Sequence, residues 1–128
     1  RAVEPLIAAL ADRENEVRWV AAQALGRLHD ARAVEPLLGL LGDHSRWARR
    51  GAAWSLGELG DPRAVEPLLG LLGDQKKDVR AAAAEALGKL RDRRAADTLS
   101  AALESEEEPE VRTAIRRALR EITGEAIF

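Results

Sequence analysis

Two histidines, three tryptophans, one phenylalanine and no cysteine bound the chemistry open to this chain. Without cysteine there is no thiolate nucleophile, no thiolate metal site and no disulfide framework. His29 and His44 lack a partner at zinc-ligand spacing, and no His-Glu repeat of a di-iron centre is present, so both read as solvated loop residues. Ser45, Ser55, Ser100 and Ser105 stand outside any Gly-x-Ser-x-Gly elbow, and no Gly-x4-Gly-Lys-Ser/Thr phosphate loop occurs. The acidic run from Glu104 to Glu110 reads as a solvated loop opening the last helix, where carboxylates favour the helix dipole. Neither catalysis nor a metal or cofactor is expected. The chemistry that remains is recognition by tryptophan and arginine, and its placement depends on the elements that carry them.

Those elements belong to a globular chain of 128 residues, 46% hydrophobic and 33% charged, of a size for one domain. Twenty basic residues against twenty-two acidic ones give a net charge of −2. That leaves no global field to hold nucleic acid or an anionic membrane. No apolar run approaches the ~20 residues of a bilayer span. A cytoplasmic protein without membrane association is expected.

The sequence repeats. Arg-Ala-Val-Glu-Pro-Leu begins at Arg1, Arg32 and Arg63, and a degraded copy begins at Arg94, a period of 31. Arg32–Asp43 and Arg63–Asp74 are identical, which means recent duplication or consensus design. Within each unit two apolar stripes step by three and four, as in Val3, Leu6, Ile7 and Leu10, then Val17, Ala21, Ala24, Leu25 and Leu28. Alanine, leucine, glutamate and arginine dominate and strand alternation is absent, so the fold is expected to be all-α. Pro5, Pro36 and Pro67 are placed in first helical turns or at kinks. Asp30, Asp61 and Asp92 are assigned to caps or turns. Asp12, Asp43 and Asp74 are placed where the first helix ends.

Four helical hairpins over residues 1–31, 32–62, 63–93 and 94–124 cannot bury their stripes singly and must stack into a right-handed superhelix. Gly26, Gly57 and Gly88 interrupt the second helices at a cost of up to ~1 kcal/mol each, implying close approach of the following hairpin. In the fourth unit Arg116 and Arg120 stand where Ala84 and Gly88 stood, marking a C-terminal cap. The first unit carries no such replacement, so further repeats before Arg1, or self-association through that edge, are expected. The tail ending in Phe128 is assigned to packing on the last pair.

The motif Asp-x4-Val-Arg-x2-Ala-Ala-x-Ala-Leu-Gly-x-Leu, at Asp12–Leu28 and Asp74–Leu90, resembles HEAT repeats, in particular the short class seen in phycobilisome lyases and in artificial helicoidal repeat proteins. The resemblance covers essentially the whole chain. It implies a solenoid whose second helices line a concave surface. It also implies a structural ladder between neighbouring units, drawn from Asp12, Asp43 and Asp74 with Arg18, Arg49 and Arg80. Ser105 replaces the aspartate in the fourth unit, which leaves that rung without its carboxylate.

Positions where near-identical repeats disagree are released from packing. In the first three units they read Asn15, Glu16, Trp19, Val20 and Gln23; Arg46, Trp47, Arg50, Gly51 and Trp54; Lys77, Asp78, Ala81, Ala82 and Glu85. All three tryptophans fall in this set. Helical spacing puts it broadly on one side of the second helix. Tryptophan and arginine are the residues most enriched at binding hot spots. The expected site therefore comprises Trp19, Gln23, Arg46, Trp47, Arg50, Trp54 and Glu85, and the expected function is a non-catalytic scaffold that binds a protein or peptide. The resemblance also implies a bilin-lyase-like reading, with the indoles stacking on a tetrapyrrole. Nucleic-acid binding through Arg46, Arg49, Arg50, Lys76, Lys77 and Arg80 is disfavoured by the near-neutral charge. Another reading of the indoles is purely structural, with Trp47 or Trp54 covering Gly51.

Overall fold

A computed structural model describes residues 2–125; the tail ending in Phe128 lies outside the described residues. Among those residues there are eight α-helices and no strand: α1 Val3–Ala9, α2 Asn15–Leu28, α3 Val34–Leu40, α4 Arg46–Leu59, α5 Val65–Leu71, α6 Lys77–Leu90, α7 Ala96–Ser105 and α8 Pro109–Thr123. They pair as four hairpins of a helical solenoid. Short 3₁₀ turns at Ala31–Ala33, Pro62–Ala64 and Arg93–Ala95 join successive hairpins.

Local chemistry sets each boundary. Asp30, Asp61 and Asp92 accept the backbone N–H of Arg32, Arg63 and Arg94, each at 2.9 Å, and so cap the 3₁₀ turns. Pro5, Pro36 and Pro67 are the third residues of α1, α3 and α5, where the missing N–H has no intrahelical partner to lose. Asp12, Asp43 and Asp74 accept the N–H of Glu14, Ser45 and Lys76, turning the chain from first helix to second. The second helices end in left-handed residues: Gly60 and Gly124, but also His29 (φ 56°) and Arg91 (φ 54°).

Two layers result. Each first helix lies on its own second helix, and the second helices pack directly on one another along the stack. Leu25, Leu56, Leu87 and Ile115 of the second helices and Leu37, Leu68 and Leu99 of the first are fully buried. The glycines explain how closely the second layer packs. A Cβ on Gly26 would lie 2.8 Å from the Ser55 Cα, one on Gly57 2.8 Å from the Ala86 Cα, and one on Gly88 3.0 Å from the Ala118 Cα. Ser55 is buried in that contact and donates its hydroxyl to the Ala22 carbonyl. Backbones thus nearly touch along the layer of second helices.

Two members of the expected second stripe are exposed. Val17 and Leu28 are 39% and 45% exposed, whereas Val79 and Val111, which match Val17 in later hairpins, are fully covered. In those hairpins a second helix precedes and packs on the helix that carries the valine, and none precedes α2 among the described residues.

The ladder is present with a definite direction. Arg18 forks onto Asp43 with both bonds at 2.9 Å, and Arg49 onto Asp74 at 2.8 and 3.1 Å. Each arginine also donates to the carbonyl of its own unit's aspartate, Arg18 to Asp12 and Arg49 to Asp43. Burial pushes the Asp43 carboxyl up, but the Arg18 fork and the Ser45 N–H outweigh it and hold the group below the usual aspartate range. The last rung differs from the sequence expectation: Glu106, one residue beyond Ser105, takes the Arg80 fork.

Candidate functional site

One face of the layer of second helices holds a groove of about 670 Å³. α2 contributes Trp19, Gln23 and Arg27, successive residues of one i, i+4 row. α4 contributes Trp47, Arg50, Gly51 and Trp54, and α6 contributes Ala82 and Glu85. The walls come from three successive hairpins, so their spacing is fixed by the glycine contacts that set the stack.

Six of the seven residues expected from sequence line this groove: Trp19, Gln23, Trp47, Arg50, Trp54 and Glu85. Arg46 does not. Its guanidinium turns to Asp78 of the next hairpin, with bonds of 3.1 to 3.3 Å. There burial pushes the Asp78 carboxyl up, while Arg46 and the Val79 N–H more than reverse the effect and keep it ionised. Arg46 therefore pins one hairpin to the next and stacks on the edge of the site, 5.2 Å from the Trp47 ring centroid.

The indoles are accessible to different degrees. Trp47 is 48% exposed. Trp19 and Trp54 are half-buried, and Trp19 rests against the core. Gly51 is not explained by a tryptophan lid. The nearest atoms to a Cβ there belong to α2: the Trp19 carbonyl at 3.4 Å, then Ala22 and Gln23. Cations flank the rings. Arg50 lies 5.6 Å from the Trp47 centroid, and Arg27 and Lys89 each lie 5.8 Å from that of Trp54. At these distances the ring quadrupole attracts the charge and orders both partners.

Arg27 was missed by the sequence reading. It occupies the variable place of Leu-Gly-x-Leu, which reads Arg27, Glu58 and Lys89 in the first three units, so the rule that found the tryptophans would also have found it. His29 and His44 are exposed and lie away from the groove lining. Among the described residues no group of three or more His, Cys, Asp or Glu gathers at metal-binding distance, and no helix is long and apolar enough to cross a membrane.

The profile of HEAT repeats matches residues 3–80 and 62–120. The chain belongs to the HEAT-repeat family. No curated protein sequence matches it. Among solved structures, this HEAT-repeat chain is similar to an engineered protein at 25% identity and TM-score 0.78, covering 95% of this chain and 62% of that one. It is also similar to the complex of CpcE and CpcF of phycocyanin lyase from Nostoc sp. PCC7120, at 26% identity and TM-score 0.76, covering 96% and 65%. Human deoxyhypusine hydroxylase follows at 27% identity and TM-score 0.78, covering 94% and 43%. The HEAT-repeat chain thus spans less than two thirds of the length of each.

Proposed function

We propose that this HEAT-repeat domain is a non-catalytic binding module that seats a protein or peptide segment in the groove of its second helices. The observation that carries the reading is the gathering of Trp19, Trp47 and Trp54 around one open groove, at positions that differ from repeat to repeat. Apolar wall area, guanidinium donors and a preformed shape are what a hot spot requires. The groove is built on helices rather than loops, so little ordering accompanies binding. Within the solved structures similar in fold, CpcE and CpcF form a complex with one another, a precedent for protein partners on such a scaffold.

A random-peptide array probed with the wild type and with a Trp47→Ala/Trp54→Ala variant tests the proposal. The expected result is a set of peptides held by the wild type and lost by the variant. Peptides retained equally by both, or a partner footprint confined to α1, α3, α5 and α7, would overturn it.

A second reading draws on the likeness to the phycocyanin lyase complex: the groove volume lies in the range of small-molecule sites, and three indoles suit a flat conjugated ligand. Titration with a bilin checks it. A red or blue shift of the bilin absorbance that disappears in the double tryptophan variant supports this reading, and an unchanged spectrum removes it.

A further inference from the structure

Neutralised and unneutralised cations can be told apart around the groove. Lys89 is paired with Glu58, and Arg46 is bound to Asp78 through both Nε and Nη2. Arg50 reaches Asp78 only at 3.7 Å, on a carboxylate that Arg46 already occupies, and its side chain is 49% exposed. Arg27 is exposed and, among the described residues, has no hydrogen bond or ion pair with a carboxylate; its guanidinium lies over the face of Trp54. Against Arg27 and Arg50, Glu85 is the sole acidic residue in the lining among the described residues. A domain of net charge −2 thus presents its indoles between two guanidiniums that lack full counter-charges.

From this pattern we infer that the groove takes an acidic peptide segment: a large apolar side chain set against the indoles, with flanking carboxylates on Arg27 and Arg50. The inference rests on the groove binding proposed above and adds the chemistry of the ligand. A guanidinium offers a planar fork that fits a carboxylate bidentately, and beside an indole wall that pairing is shielded from water. A basic segment would meet two like charges and find Glu85 alone unpaired to answer it, since Asp78 and Glu58 are engaged by Arg46 and Lys89, which disfavours it by repulsion. A nucleic-acid strand carries a charge at every phosphate and needs a continuous basic track. Here the track is interrupted by Asp78, Glu58 and Glu85.

Three synthetic peptides with the same Leu-Leu centre, flanked by glutamate, glutamine or lysine, separate these cases, with oligothymidylate as a fourth probe. Labelled probes are titrated against the full chain by fluorescence anisotropy at low and physiological salt. The glutamate peptide is expected to bind about tenfold more tightly than the glutamine peptide, a preference that shrinks with salt. Arg27→Gln/Arg50→Gln should bring that ratio close to one, whereas Arg32→Gln, outside the groove, should leave it unchanged. Circular dichroism checks that each variant is folded. Lysine- or glutamine-flanked peptides bound as tightly as the glutamate peptide, and in a Trp47- and Trp54-dependent way, overturn the charge inference and leave the groove reading standing. Oligothymidylate bound in preference to all three overturns both. Failure of all four probes overturns the charge inference alone, since the groove reading is decided by the array.

Discussion

Arg80 donates Nε to Glu106 at 2.8 Å and Nη2 to its other oxygen at 3.0 Å, although the residue aligned with the rung aspartates is Ser105. Both partners are largely buried, with 18% and 9% of their side chains exposed. α7 runs for ten residues to Ser105, against seven in α1, α3 and α5, and Glu106, the first residue after it, brings a carboxylate to the place of the rung aspartates. The Arg80 fork, working against burial, holds the Glu106 carboxyl below its usual range.

Breaking this rung should cost more than breaking any surface pair. Glu106→Ala leaves Arg80 without its carboxylate and is expected to destabilise by about 2 to 3 kcal/mol. Glu4→Ala, which removes an exposed partner 3.5 Å from Arg32, should cost less than about 0.5 kcal/mol. Urea unfolding of the two variants makes the comparison; equal midpoints would deny the rung its structural role.

The glycines predict opposite signs. Gly57→Ala forces a Cβ to within 2.8 Å of the Ala86 backbone and should destabilise by about 1 to 3 kcal/mol. Gly70→Ala, in α5 with nothing within 4 Å, should stabilise by about 0.5 to 1 kcal/mol through helix propensity. Thermal midpoints moving in the same direction would contradict this assignment.

His29 and Arg91 occupy left-handed C-cap positions where Gly60 and Gly124 stand in the other hairpins. Arg91→Gly should therefore raise stability by about 1 kcal/mol, since glycine adopts that conformation without a Cβ penalty. Chemical denaturation measures it directly, and a lower midpoint would show that the Arg91 side chain outweighs its backbone strain.

Separating recognition from packing predicts unequal tryptophan effects on stability. Trp47→Ala removes a ring that is 48% exposed and should cost less than about 1 kcal/mol. Trp19→Ala opens space against the core and should cost about 1 to 3 kcal/mol. A Trp47→Ala loss as large as that of Trp19→Ala would return Trp47 to a packing role.

Acid should weaken the stack in a defined window. Arg32 holds the Asp30 carboxyl down to about 2 from its ordinary 3.8, and Asp43, Asp61, Asp78, Asp92 and Glu106 are lowered as well. A group whose folded pKa is depressed contributes in full above its unfolded value and loses that contribution as pH falls toward the folded value. Stability is therefore expected to be flat above about pH 5 and to decline from about pH 4.5 toward about pH 2. A thermal midpoint unchanged across that interval would show that these pairs carry no net free energy.

The fold was legible because many helix boundaries are written locally, in an Asp cap, a first-turn proline or a three-four stripe, and because the 31-residue period repeats the packing of one hairpin on the next. Gly26, Gly57 and Gly88 could be read since their cost demanded a close neighbour. Other features depended on distances that no stripe encodes. Ser105 hid the last rung because sequence alignment matches letters, whereas Arg80 needs only a carboxylate within reach. Arg46 and Trp47 are adjacent in sequence and equally variable, yet one turns to Asp78 and the other to the groove, a choice made by the facing hairpin. Val17 and Leu28 satisfy the stripe but lie on the side of α2 that no described helix covers.

Because Trp19, Trp54 and Glu85 sit on three different second helices, the width between them is set by spacers that a ligand never touches. The Gly26–Ser55 and Gly57–Ala86 contacts set how closely those helices approach. Enlarging a spacer by one methyl group tilts one blade against the next and changes the gap between the indoles. Under the proposed binding role, selectivity would be retuned from behind the wall of the groove, leaving every side chain on it unaltered.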